Sequence, residues 1–190
     1  MGQYYRPCSI EKQKSVSPYA FSNGAKLMEH SYVGNNFVTA IERLISKGGA
    51  WFGDKIVWGG DYADGEKDIN GDTRTFKEDG KEYEITMYSL AKEIPYFDLM
   101  ATLPKPKRKL RYFINLDTKE FVDINKVPIF DVDYQIHPLP LMTCEGNGRG
   151  GGDFRGEDPN GLVGKWARNR VIMQMSKPKG CKEIEFDLVE

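Results

Sequence analysis

The sequence has few of the residues that usually hold metals or form disulfide frameworks. It contains three cysteines, Cys8, Cys144 and Cys181, and two histidines, His30 and His137. An odd number of widely spaced cysteines argues against a disulfide framework or a zinc ribbon, and free cysteines are typical of a reducing compartment. We therefore expect a cytoplasmic protein.

A charge excess of one sign and a long apolar run are also missing. With 27 basic and 28 acidic residues the net charge is -1, so the sequence carries no electrostatic signature of nucleic-acid or anionic-membrane binding. No apolar run approaches the roughly 18 residues that cross a bilayer, and the N-terminus lacks the apolar core of a signal peptide. Aromatic residues are plentiful at 12% and favour a folded chain with a sheet.

The length and the hydrophobic periodicity predict one globular α+β domain over residues 1–190. We expect it to be rich in strands and antiparallel hairpins, with one amphipathic helix over about 36–47 whose N-cap is Asn35 or Asn36. Turn residues predict hairpins around Asp79-Gly80 and around 117–119. The strands around Asp79-Gly80 are expected over 73–76 and 81–90. Further strands are expected over 55–58, ended by Gly59-Gly60, and over 182–189, whereas 164–175 is either a strand or a helix, with a strand favoured.

The most unusual stretch follows Cys144, where glycine takes five of the seven positions 146–152. Glycine loses the most backbone entropy on ordering, so this stretch is either a linker or a loop that lies close to a ligand. Consecutive glycine amides can bind an anion, and Arg149 can add a bidentate pair of hydrogen bonds. The spacing matches neither a P-loop nor the dinucleotide fingerprint. The predicted ligand-binding residues are Gly146, Asn147, Gly148, Arg149, Gly150, Gly151, Gly152 and Asp153.

Histidines and carboxylates supply a second set of candidates. Asp61 and Asp64 follow a predicted strand end, a position that suits a metal ligand, a general base or a simple turn cap. With the histidines they would form a divalent-metal site that activates a bound water. No recognised ligand spacing is present, and a lone histidine is more often structural. The candidate catalytic residues are His30, His137, Asp61 and Glu145, and the candidate metal ligands are Asp61, Asp64, His30 and His137.

Five segments carry a resemblance that spans most of the chain. They are residues 1–5 (MGQYY), 26–31 (KLMEHS), 58–64 (WGGDYAD), 145–153 and 164–168 (GKWAR). Together they resemble a family of uncharacterised proteins that bacteria and their phages encode, for which no activity is established. The resemblance implies a phage-related protein and transfers no functional residue.

Three functions follow as alternatives. The first is binding of a small phosphate-bearing ligand, such as a nucleotide or cyclic nucleotide, by a protein that sequesters it. The second is a metal-dependent hydrolase that acts on a similar ligand. The third is a structural or protein-interaction role, in which the glycine-rich stretch is only a turn region. We rank the first alternative highest, because the glycine-rich stretch is a positive feature, whereas the candidate metal ligands lack a recognised spacing.

Overall fold

A computed structural model describes residues 3–129, 134–146 and 154–188. The chain forms a nine-stranded sheet and a separate two-stranded hairpin, with short helices between the strands. The strands are β1 (Tyr5–Ser9), β2 (Lys14–Ser15), β3 (Lys55–Gly60), β4 (Thr75–Glu78), β5 (Lys81–Glu84), β6 (Lys92–Glu93), β7 (Tyr112–Asn115), β8 (Glu120–Asp123), β9 (Cys144–Glu145), β10 (Asn169–Gln174) and β11 (Lys182–Glu183). The helices are α1 (Leu27–His30), α2 (Asn36–Leu44), α3 (Met87–Leu90), α4 (Tyr96–Thr102) and α5 (Pro138–Thr143).

The large sheet is mixed and is built around β3. Its strand order is β11-β8-β7-β10-β3-β1-β2-β6, and β9 also pairs with β3. Strand β1 pairs antiparallel with β3 along one edge. The other edge is shared, since β10 pairs antiparallel with Lys55 and Ile56, whereas β9 pairs in parallel with Trp58 and Gly59.

The central strand is buried on both faces, as its apolar sequence requires. Ile56 and Trp58 contribute to the main core, in which α2 places its apolar face. Val57 points the other way and packs with Cys8, Met87 and Ala91 in a smaller cluster. Alternation with period two therefore assigns neighbouring residues of one strand to two different clusters.

Helix α2 lies where the sequence predicts a helix, although it is shorter. Asn35 caps it by accepting hydrogen bonds from the amides of Phe37 and Val38 at 2.9 and 3.2 Å. The helix ends at Leu44 instead of residue 47, because Ser46 forms a bridge to Met173 and the Leu44 carbonyl accepts from the Trp51 amide. In the described ranges four shorter helices accompany it.

Three predicted strands differ from the observed ones. Strand β3 continues through Gly59 and Gly60, because both glycines pair with β1. The predicted strand over 81–90 ends at Glu84, and the Thr86 hydroxyl caps a helix that follows it. In the described part of the predicted strand over 182–189, Lys182–Glu183 forms the one ladder, which pairs in parallel with β8. The predicted hairpin turn at Asp79-Gly80 is confirmed, with both residues at positive φ.

The described ranges contain no helix that is both long and apolar enough to cross a membrane.

The capping of α2 generates a stability prediction. Asn35→Ala removes the acceptor for two helix amides and also the 2.6 Å bond from its side-chain amide to Asn23. We expect a loss of about 1–2 kcal/mol in the free energy of unfolding, measured by urea denaturation. Thr39→Ala, at an exposed position of the same helix, serves as the control and should change stability by less than about 0.5 kcal/mol. Equal losses in the two variants would contradict the capping role.

Candidate functional site

Three segments of the chain meet at the carboxyl end of β3. A Cβ atom at Gly60 would lie 2.9 Å from Gln3 Oε1, 3.1 Å from the Glu145 carbonyl oxygen and 3.1 Å from a ring carbon of Tyr5. The Glu145 carbonyl is held in the sheet by the pairing of β9 with β3, and the Tyr5 ring is fully buried. A Cβ atom here would therefore require Gln3 and the two other neighbours to shift, and glycine allows the N-terminal segment and β9 to come together without such a shift.

The N-terminal segment is fastened to the end of β3 by hydrogen bonds. Tyr4 and Asp61 exchange two of them, from the Tyr4 amide to Asp61 Oδ1 at 3.0 Å and from the Asp61 amide to the Tyr4 carbonyl at 2.9 Å. The Tyr5 hydroxyl donates to Gln3 Oε1 at 2.6 Å. Gln3 is 4% exposed, and its Nε2 donor has no hydrogen-bond partner in the part of the chain that the structure describes.

Arg168 joins two carboxylates beside this junction. Its guanidinium donates to Glu145 through Nε and Nη2 at 2.6–2.9 Å. It donates to Glu66 through Nη1 and Nη2 at 3.0 and 2.5 Å. These bonds raise the pKa of Arg168 above its usual range. All three guanidinium nitrogens are therefore engaged, and the charge of Arg168 is offset within the protein.

The backbone of Arg168 also forms a hydrogen bond to the sheet. Its amide donates to the Ile56 carbonyl of β3 at 2.8 Å, directly before β10 begins. Its φ is +63°, a left-handed conformation that non-glycine residues seldom adopt. Such backbone conformations persist when surrounding contacts fix them, and they are frequent at functional sites.

Glu66 connects this network to the two-stranded hairpin of β4 and β5. Its amide donates to the Ile85 carbonyl at 2.7 Å, and its carbonyl accepts from the Arg74 amide at 2.8 Å. Every residue of β4 and β5 is exposed, while Phe76 and Tyr83 stack across the hairpin with ring centroids 5.3 Å apart. The ion-paired carboxylate of Glu66 thus anchors the base of an exposed arm.

A second arginine and a cysteine lie nearby. The Arg6 guanidinium lies 4.2 Å from the centroid of the Tyr88 ring and donates to the Tyr88 carbonyl, although its Nε is buried without a partner in the described ranges. Burial raises the pKa of the Cys8 thiol to about 12. Since a thiol with that pKa is protonated at neutral pH, Cys8 is no nucleophile.

Both histidines are buried and hydrogen-bonded. His30 is fully buried, and its Nε2 accepts from the Trp58 indole at 2.9 Å while Nδ1 lies 3.0 Å from the Gly24 carbonyl. The indole nitrogen can only donate, so Nε2 of His30 is the acceptor in this pair. Nδ1 of His137 accepts from the Leu139 amide at 3.1 Å at the start of α5, and its Nε2 lies 3.1 Å from Glu42 Oε1.

The predicted metal ligands are not brought together. Among the described residues no group of three or more His, Cys, Asp or Glu side chains is arranged to hold a metal ion. Asp61 and Glu145 lie at the carboxyl end of β3, Asp64 is exposed, and the two histidines are engaged elsewhere. The predicted metal site therefore has no support in the described ranges.

Of the predicted ligand-binding residues only Gly146 lies within the described ranges, and it is buried directly after β9. Residues 147–153, which include Arg149 and Asp153, lie outside them. Gln3, Glu66 and Arg168 were not among the site residues predicted from the sequence. Their position within or next to the segments that carry the resemblance could have indicated them. Four of those segments, 1–5, 58–64, 145–153 and 164–168, contribute residues to this junction.

Comparison with protein-family models, with curated proteins and with solved structures gives no match. The resemblance to a bacterial and phage-encoded family thus stays a prediction.

The charge network generates a stability prediction. Arg168→Met leaves Glu66 and Glu145 without their shared cation, so we expect a loss of about 2–3 kcal/mol in the free energy of unfolding at pH 7.5.

Arg170→Met is the matched control for that experiment. Arg170 pairs with Asp117 at 2.7 Å, and its side chain is 52% exposed. Removing this surface pair should cost less than about 1 kcal/mol. Denaturant unfolding of both variants at pH 7.5 provides the measurement. Equal losses in the two variants would contradict the role of the Arg168 network.

Proposed function

We propose that this chain binds a small phosphate-bearing ligand, of the nucleotide or cyclic-nucleotide class, at residues 146–153 and sequesters it. The observation that carries the proposal is the parallel pairing of β9 with β3, in which Glu145 is opposite Gly59. Strands β3 and β9 run in parallel and end at the same edge of the sheet, and in open α/β sheets ligands bind outside the carboxyl ends of parallel strands. The glycine-rich stretch begins at this edge, next to the end of β3.

Backbone amides supply the binding chemistry in this proposal. Five glycines in residues 146–152 allow successive N–H groups to point toward one anion. Arg149 supplies the positive charge, because Arg168 is already occupied by Glu66 and Glu145. The buried Nε2 of Gln3 is a further donor at the same junction.

In this proposal the chain is one cytoplasmic, phage-related domain. A single sheet that includes strands from Tyr5–Ser9 to Lys182–Glu183 supports one domain. The three free cysteines, two of them buried, support a reducing compartment. The phage relationship is supported by the sequence resemblance only.

The test is thermal unfolding of the purified chain against a panel of nucleotides and cyclic dinucleotides, with and without Mg²⁺. A ligand at 100 times its dissociation constant adds about 2.7 kcal/mol, which raises the midpoint of a domain of this size by several degrees. We expect Arg149→Ala to remove this increase. Arg155→Ala, an exposed arginine beyond the glycine-rich stretch, should retain it.

Other outcomes separate the alternative functions. Equal midpoint increases in Arg149→Ala and the unmodified chain would contradict the assigned role of Arg149. A ligand recovered in hydrolysed form, with a requirement for divalent metal, would instead support the hydrolase alternative. No increase with any member of the panel would favour the structural or interaction role.

A further inference from the structure

A second cleft lies away from the candidate site, between the end of α2, the end of β10 and the segment that follows α4. Its volume is about 360 Å³, within the range of small-molecule pockets. None of its lining residues belongs to the junction around Gly60. Its apolar walls are formed by Phe52, Pro104, Pro106, Leu110, Met173 and Met175.

The walls combine buried and exposed apolar side chains. Leu110 and Met173 are buried at 6% and 0% exposure, whereas Phe52 and Met175 are 48% and 45% exposed. Methionine is flexible and polarisable, so it adapts to ligands of irregular shape. Large apolar side chains exposed together around a concave surface are typical of a binding site.

The charge around this cleft has one sign. Lys47 and Lys105 line it, and no aspartate or glutamate does. In the described ranges neither lysine forms an ion pair, whereas Arg111, further along the same segment, is paired with Asp123 at 2.7 Å. Unpaired like charges around an apolar cleft favour an anionic occupant.

The cleft is formed by anchored backbone. Arg43 Nε donates to the Pro104 carbonyl at 2.6 Å, which fixes the proline-rich wall to α2. The Met173 amide donates to the Ile45 carbonyl at 3.3 Å, and the Gln174 carbonyl accepts from the Arg111 amide at 3.0 Å. Binding to a preformed cleft requires little ordering of the protein, which favours affinity.

We propose that this cleft binds a free single-chain carboxylate, an anion with an aliphatic body. The chain of the ligand packs against Phe52 and Met175, and its carboxylate lies between Lys47 and Lys105. A protein partner fits less well, because a specific protein interface buries roughly 1,000 Å² or more, whereas this cleft has the volume of a small-molecule pocket. The lysines at this cleft select a negative head group, and the apolar walls select the body attached to it.

The experiment is isothermal titration of the full chain with dodecanoate, below its micellar concentration. Dodecyltrimethylammonium, which has the same tail and the opposite charge, is the comparison ligand. We expect one dodecanoate per chain, bound at least about tenfold more tightly than the ammonium ligand. The double variant Lys47→Glu/Lys105→Glu should weaken dodecanoate binding by about tenfold or more and favour the ammonium ligand.

The matched control is Lys14→Glu/Lys92→Glu, which makes the same change in net charge at two exposed lysines paired across β2 and β6. It should bind dodecanoate as the unmodified chain does. Equal affinities for the two ligands, or equal weakening in both double variants, would overturn the proposal. Binding to anionic phospholipid vesicles or to an acidic peptide without uptake of dodecanoate would overturn it as well, in favour of a membrane or protein partner.

Discussion

The double use of one edge of β3 is the constraint on which the rest of the structure depends. Strand β10 pairs with the beginning of that edge and β9 with its end. Two strands that are well separated in the sequence, one ending at Glu145 and the other beginning at Asn169, therefore share one edge of the same strand. The turn before β10 therefore has to pass close to β9. Arg168 is in that turn, and its left-handed backbone and its bonds to Glu145 both follow from this geometry.

The ion network of Arg168 serves position more than stability. A partly buried charge network yields little net stability, since desolvation offsets much of the attraction, whereas loss of one partner is costly. Through Glu145, Arg168 and Glu66, the network connects β9, the turn before β10 and the base of the exposed hairpin. Three elements that share no long ladder with one another are thereby fixed at one edge of the sheet.

The elements that local sequence decides were predicted correctly. The Asp79-Gly80 turn needs two residues at positive φ, and the turn at 117–119 is flanked by two strands with adjacent apolar residues that pair with each other. Helix α5 was missed because Pro138 and Pro140 argue against a helix, although both lie in a first turn whose amides need no partner within the helix. Arg168 was missed for another reason, since its partners Glu145 and Glu66 are 23 and 102 residues away in the sequence.

A net charge of -1 conceals two opposite situations. At the end of β3, Asp61, Glu66 and Glu145 accompany Arg168, whose charge is already offset, so an anion bound there depends on backbone amides and on cations outside that network. Around the apolar cleft the lysines have no partner in the described ranges, and an anion bound there meets uncompensated charge. The two proposed sites therefore differ in the source of their positive charge, which is Arg149 together with backbone amides at the first and Lys47 with Lys105 at the second.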